Sequence, residues 1–110
     1  MTLNLAVLKY DLVQNSNTLK ITNQYTYDFE KHQLLSYDNV IKLTHKESKL
    51  LTLLVSARGN IVPYEDIDTI VWTESIVTDD SRRQLFHRLK NKLQNFPFEL
   101  IKGTGYKINI

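Results

Sequence analysis

The sequence predicts an α+β fold in the order four short strands, three helices and one closing hairpin. Three observations carry that expectation. Between Thr18 and Lys42, short strand-like runs are cut by Asn, Asp and Glu-Lys-His punctuation. From Thr44 to Leu93 the apolar spacing becomes helical and is interrupted twice by stop signals. Beyond Asn95-Phe96-Pro97, two strand-like runs flank Gly103-Thr104-Gly105.

In chain order, residues 1–17 are ambiguous, because Leu3, Leu5 and Val7 alternate like a strand whereas Leu8, Leu12 and Val13 fit one helical face. Thr18–Ile21, Tyr25–Phe29, Gln33–Ser36 and Val40–Lys42 read as a small antiparallel meander. Thr44-His45-Lys46-Glu47 is a capping box, in which hydroxyl and carboxylate each satisfy a backbone N–H left unpaired at a helix start. Leu50, Leu51, Leu53, Leu54 and Ala57 form the apolar face of that first helix, and Gly59 is expected to end it. Ile61-Val62 is a short bridging strand. Pro63, Glu65 and Asp66 suit the first turn of a second helix packed through Ile67, Ile70 and Val71 and closed by Trp72. A polar loop, Thr73–Thr78, leads to a third helix with Asp79 or Asp80 as its expected cap. Glu99–Lys102 and Tyr106–Ile110 form the closing hairpin.

The third helix is the segment that points outward. At 100° per residue, Leu85, Phe86, Leu89 and Leu93 share one stripe, while Arg83, Gln84, His87, Arg88 and Asn91 gather opposite. Planar guanidinium and amide groups can pair bidentately with base edges, and Lys90 and Lys92 flank them as point charges suited to phosphates. A basic helix face is often only a solvated surface, but here the charge is polarised along the chain. Residues 1–78 hold seven Lys/Arg against nine Asp/Glu, and residues 79–110 hold seven against three. Between Ser81 and Leu93 there are five basic residues and no acid, the expected footprint of a phosphate backbone. Nucleic acid is therefore the expected partner.

Other chemistries find little support. A chain of 110 residues with 42% hydrophobic content suffices for one modest core, and the lack of Cys excludes disulfides and thiolate metal sites. No apolar run approaches the ~18–20 residues of a membrane span and no basic n-region opens the chain, so a cytoplasmic location is expected. His32, His45 and His87 lack metal-ligand spacing, so neither metal nor cofactor is expected. Gly103-Thr104-Gly105 lacks the following helix that a phosphate loop requires, and no nucleophile motif surrounds any Ser. The chain is not expected to be an enzyme. Tyr25, Tyr27, Phe29, Tyr37, Phe96 and Phe98 are spread over sheet and turns, which suits packing better than a stacking platform for single strands.

The element order, with Leu43-Thr44-His45-Lys46-Glu47, Trp72, Arg88-Leu89-Lys90-Asn91-Lys92-Leu93 and Lys102-Gly103-Thr104-Gly105-Tyr106-Lys107, resembles the winged-helix DNA-binding domain of OmpR/PhoB-type response regulators. The resemblance covers about Thr18 to the C-terminus. It implies a winged helix-turn-helix: a four-stranded N-terminal antiparallel sheet, a three-helix bundle, a recognition helix in the major groove and a C-terminal β-hairpin wing whose basic residue reaches the minor groove. Carried over by position, it implies base or phosphate contacts for Arg83, Gln84 and Arg88, a phosphate contact for Lys90, the inserted wing cation for Lys102, and a site near the DNA backbone for Trp72. The same residues of the third helix stand out on the helical wheel.

The chain also departs from the family's pattern. Asp80-Ser81-Arg82 stands where an Arg-Thr-Val run is usual, so Arg82 occupies an apolar position and is expected to lie along apolar surface with its head in water or on phosphate. His87 replaces a usual Arg, and Pro63 stands where a Ser cap is common. The expected DNA-binding set is therefore Arg82, Arg83, Gln84, His87, Arg88, Lys90, Asn91, Lys102 and Trp72. Sequence-specific double-stranded DNA binding in transcriptional regulation, as the effector domain of a two-component response regulator, is the expected function. The alternative is a winged-helix protein-interaction module using the basic face of the third helix. The resemblance further implies a free monomer that pairs on tandem half-sites, and contact with RNA polymerase through Thr73–Thr78. Residues 1–17 are expected to be the linker or tail of an upstream domain, and 18–110 the DNA-binding domain.

Overall fold

The computed structural model describes residues 17–73 and 76–110. The chain divides into two compact units, one ending at Lys42 and one running from Leu43 to Ile110.

The first unit is a four-stranded antiparallel sheet in sequential order: β1 (Thr18–Lys20), β2 (Tyr25–Asp28), β3 (Gln33–Ser36) and β4 (Asn39–Val40). Its turns are made by local side-chain bonds. Thr22 Oγ1 accepts from the amides of Gln24 and Tyr25, and Asp28 Oδ1 accepts from those of Glu30 and Lys31. Tyr37 and Asp38 link β3 to β4 with φ of 47° and 69°, the left-handed pair that a two-residue hairpin turn demands. That turn puts the Tyr37 side chain in solvent, so Tyr37 is not the packing residue expected of it. Tyr25, Tyr27 and Leu34 are buried, with Tyr27 opposite Leu34 across the β2–β3 register.

The second unit holds α1 (His45–Ser56), β5 (Val62–Pro63), α2 (Tyr64–Val71), α3 (Asp79–Lys92), β6 (Phe98–Ile101) and β7 (Gly105–Ile108). The capping box at α1 is complete: Thr44 Oγ1 accepts from the Glu47 amide at 3.2 Å, and Glu47 Oε1 accepts from the Thr44 amide at 2.9 Å. Leu50, Leu51, Leu54 and Val55 form its buried stripe, which takes in Val55 and leaves Leu53 half-buried. The helix stops at Ala57, two residues before Gly59, and Arg58 and Gly59 both turn through positive φ.

Three further expectations are corrected. Pro63 belongs to β5 and to the position preceding α2, because its extended backbone pairs with Gly105 of β7. Ile70 is 44% exposed, since the short α2 turns only Ile67 and Val71 inward. The cap of α3 is Thr78, whose Oγ1 accepts from the Ser81 amide at 3.1 Å. Asp79 and Asp80 sit inside the first turn instead, where they complement the helix dipole. The bridging strand and the closing hairpin are both found, and they pair in one three-stranded sheet, β5-β7-β6. The core comprises Leu50, Leu54, Ile67, Leu85, Leu89, Leu93 and Ile108, all essentially inaccessible.

Candidate nucleic-acid interface

On α3 the polar and apolar faces separate as the wheel predicts. Leu85, Phe86 and Leu89, together with Leu93 at its end, are buried; Arg83, Gln84, His87, Arg88, Lys90 and Asn91 are exposed. The side chains of Gln84, His87, Arg88 and Asn91 engage no described residue by hydrogen bond or ion pair. Lys90 lies with its ammonium 5.7 Å from the Phe86 ring centroid, so its stem covers apolar surface while its head stays at the edge of the face. Arg83 Nη1 rests 3.1 Å from Asp80 Oδ1, an exposed pair one helical turn apart that another anion can displace at little cost.

Two of the five cations counted on this segment are committed to carboxylates of the protein itself. The Arg82 guanidinium forks onto Asp68 of α2, Nε to Oδ1 at 3.0 Å and Nη2 to Oδ2 at 3.1 Å, and reaches Asp79 Oδ1 at 2.8 Å. It also lies 4.3 Å from the Tyr64 ring centroid. The expectation of a head in water or on phosphate is corrected: the side chain is only 10% exposed and two carboxylates take its charge. Lys92, expected as a flanking phosphate contact, donates to Glu47 Oε1 at 2.6 Å. Burial by itself raises the Glu47 pKa, but the hydrogen bonds from Lys92 and Thr44 outweigh it and hold the carboxyl below 4.5. Glu47 thus caps α1 and anchors the C-terminal end of α3 with the same oxygen. An Arg on an apolar stripe calls for a carboxylate nearby, but the second helix offers Glu65, Asp66 and Asp68, and only the packing selects Asp68.

The hairpin brings one more cation to the same side. Ile101–Thr104 is a β-turn closed by the Thr104 amide donating to Ile101 O at 3.0 Å, with Gly103 at φ 75° and Lys102 exposed at its corner. Lys107 lies across the register from Glu99, their charged atoms 3.8 Å apart, so only Lys102 is presented at the tip. Between the start of α3 and this turn lies an open cleft of about 510 Å³, bordered by Arg83, Lys102, Tyr64 and Tyr106 among others. Burial, and then the neighbouring Tyr64, push the Tyr106 phenol above its usual 10.0, and its ring stacks on Phe86. Trp72 ends α2, half-buried, with the Lys46 ammonium 6.0 Å from its ring centroid. In the loop before α3, residues 74 and 75 lie outside the described residues, and Ile76 is 97% exposed. Among the described residues no His/Cys/Asp/Glu group could hold a metal ion, and no helix is long and apolar enough to cross a membrane.

Residues 38–108 match the family model described as transcriptional regulatory protein, C-terminal. The chain belongs to this family. Its members are transcriptional regulators and not enzymes. A putative epidermin response regulator of Staphylococcus epidermidis is 33% identical over 96 residues, covering 84% of this chain and 47% of that protein. The chain therefore spans about half the length of that relative. Among solved structures, the DNA-binding domain of Bacillus subtilis CssR is 30% identical with a TM-score of 0.60, covering 82% of this chain and 98% of its own. The Klebsiella pneumoniae RstA DNA-binding domain, solved in complex with the RstA box, superposes with a TM-score of 0.69 over 83% of this chain and 95% of its own; at 18% identity it speaks for the fold alone. The fold is that of the winged-helix DNA-binding domains of OmpR/PhoB-type response regulators, and the homologues are response-regulator DNA-binding domains.

Proposed function

We propose that this chain binds double-stranded DNA sequence-specifically to regulate transcription, with α3 in the major groove and the Lys102 turn at the neighbouring minor groove. The observation that carries the reading is the exposed face of α3: Gln84, His87, Arg88 and Asn91 present donors and acceptors to solvent, while Arg82 is held inside and Lys92 is tied to Glu47. Arg83, Gln84, Arg88 and Asn91 are the base-reading candidates, Lys90 a phosphate contact, His87 a neighbour able to reach either, and Trp72 a residue beside the backbone. Residues 1–17 would form the linker to an upstream regulatory domain and 18–110 the DNA-binding domain, acting in the cytoplasm. The free protein would be a monomer pairing on tandem half-sites about one helical turn apart. The loop Thr73–Thr78, with Ile76 exposed, would be the surface offered to RNA polymerase.

Selection of a duplex from a random-core library by the wild-type chain, followed by titration against that duplex and a scrambled one, tests the reading. Arg88→Ala should weaken the selected duplex by about 1–3 kcal/mol and flatten the preference, whereas Lys90→Ala should weaken both duplexes alike. Equal losses on both duplexes for both variants would remove Arg88 from base reading. A chain that binds no duplex at moderate salt would overturn DNA binding altogether.

Lys102 makes a separate prediction, because it stands on the turn and not on α3. A cation in a narrow A·T-rich minor groove meets a stronger negative potential than one in a G·C-rich groove. Lys102→Ala should therefore cost more on the selected core with A·T flanks than with G·C flanks, and lower the slope of log affinity against log salt by about one. A loss independent of the flank would leave Lys102 a plain phosphate contact.

A further inference from the structure

The turn that carries Lys102 is joined to α2. β5 runs directly into α2 and pairs with β7 through Val62↔Tyr106 and Pro63↔Gly105. The first amide of α2, on Tyr64, donates to Thr104 O in the turn itself at 3.0 Å. Hence the hairpin moves with the start of α2. The third helix meets this block through the Phe86 ring and through the Arg82 guanidinium, contacts of different character. Phe86 stacks on Tyr106 of β7 with ring centroids 3.8 Å apart and planes 4° from parallel, and meets Phe98 of β6 edge-on at 5.4 Å, apolar contacts that hold α3 against the hairpin without a hydrogen bond. Arg82 forks onto Asp68 with two parallel N–H···O bonds, and such a pair fixes both distance and direction. Tyr64 links the two contacts: its ring lies 4.3 Å from the guanidinium and meets Tyr106 edge-on at 5.4 Å.

We propose that Arg82 is a positioning residue for DNA recognition: its fork on Asp68 sets the angle of α3 against the block that carries the Lys102 turn, so that helix and turn meet their two grooves together. Arg82 itself touches no DNA. The inference rests on the DNA-binding reading above. Its physical basis is that the Arg82 side chain is nine-tenths buried, its charge met by Asp68 and Asp79, and placed where it holds the start of α3, while the far end of the helix is held by Lys92 on Glu47.

The test uses the full chain and the selected core with A·T flanks, with affinity expressed per folded molecule. Arg82→Met should bind about tenfold more weakly. On that background Lys102→Ala should add little, because the turn no longer reaches its groove, whereas on wild type it carries its full cost. The double variant Asp68→Leu with Arg82→Leu, which rebuilds the α2–α3 contact with apolar groups of similar combined volume, should bind within about threefold of wild type, as apolar replacement of a buried pair is commonly tolerated. A direct contact predicts otherwise: the Arg82→Met and Lys102→Ala losses would multiply, and the apolar pair would bind as weakly as Arg82→Met. Either result overturns the proposal. A purely structural Arg82 would lower the folded fraction and leave both the affinity per folded molecule and the Lys102 effect unchanged, which would overturn it too. Should Arg82→Met fail to fold, the apolar pair decides alone, near-wild-type binding supporting the proposal and its loss overturning it. A wild-type chain that binds no duplex would instead refute the DNA-binding reading.

Discussion

Gly105→Ala should be the most damaging single-methyl change in the second unit. A Cβ built at Gly105 falls 2.0 Å from Val62 O and 2.9 Å from Pro63 Cα, both backbone atoms that no rotamer change can move aside. β5 and β7 would have to separate, losing the pairing that joins the hairpin to α2 and disturbing the buried Tyr106 beside it. The cost should be at least about 3 kcal/mol, a large part of the roughly 5–15 kcal/mol that stabilises a domain. Gly103→Ala is the control. Its Cβ would meet nothing within 4 Å, and only its φ of 75° opposes the substitution, so about 1 kcal/mol is expected. Urea midpoints for the two variants measure both effects; equal midpoints would show that the close approach of β5 and β7 does not govern stability.

Removing Glu47 should have the next largest effect. The residue is 1% exposed and serves two partners, the Thr44 amide and Lys92. Glu47→Ala deletes the carboxylate half of the capping box and the anchor of α3 together, while Thr44 Oγ1 can still accept from the amide at position 47. Because Lys92 is 41% exposed and can return to water, the cost should lie near 2–3 kcal/mol, below that of breaking a fully buried pair. Glu47→Gln keeps an acceptor for Thr44 and loses only the charge, so about 1 kcal/mol is expected. Its pH dependence follows from the lowered carboxyl pKa. The charge contributes stability in full above the unfolded-state value of about 4.3, and that contribution is lost as the pH falls through the lower folded-state value. The gap between wild type and Glu47→Gln should thus be open at neutral pH and close in strong acid. An equal gap across that range in urea titrations would mean that the Lys92 pair contributes nothing.

Much of the architecture was legible in local residue patterns. The four strands of the meander, the Thr44 capping box, the acids in the first turn of α2 and the buried stripe of α3 each depend on neighbours within a few positions. The misplaced features depend on more. Asp79 and Asp80 are good caps, but Thr78 already adopts the extended backbone from which a side chain can reach the N3 amide. Pro63 suits a helix start, yet its pairing with Gly105 arises from a strand some forty residues away in sequence. Gly105 reads as a turn residue beside Gly103, whereas only the neighbouring strand shows that space is what it supplies.

Which helix points outward, and which side chains it offers, follows from the chain's local pattern, because the 3.6-residue period and the clustering of five cations are properties of one segment. Which of those cations are available is set by packing between helices. Arg82 and Lys92 find Asp68 on α2 and Glu47 on α1, and these carboxylates lie 14 and 45 positions away, where helical periodicity carries no information. The physical reason is that a charge within reach of a buried carboxylate is worth more there than in water, so packing between helices sets the final charge of the recognition face.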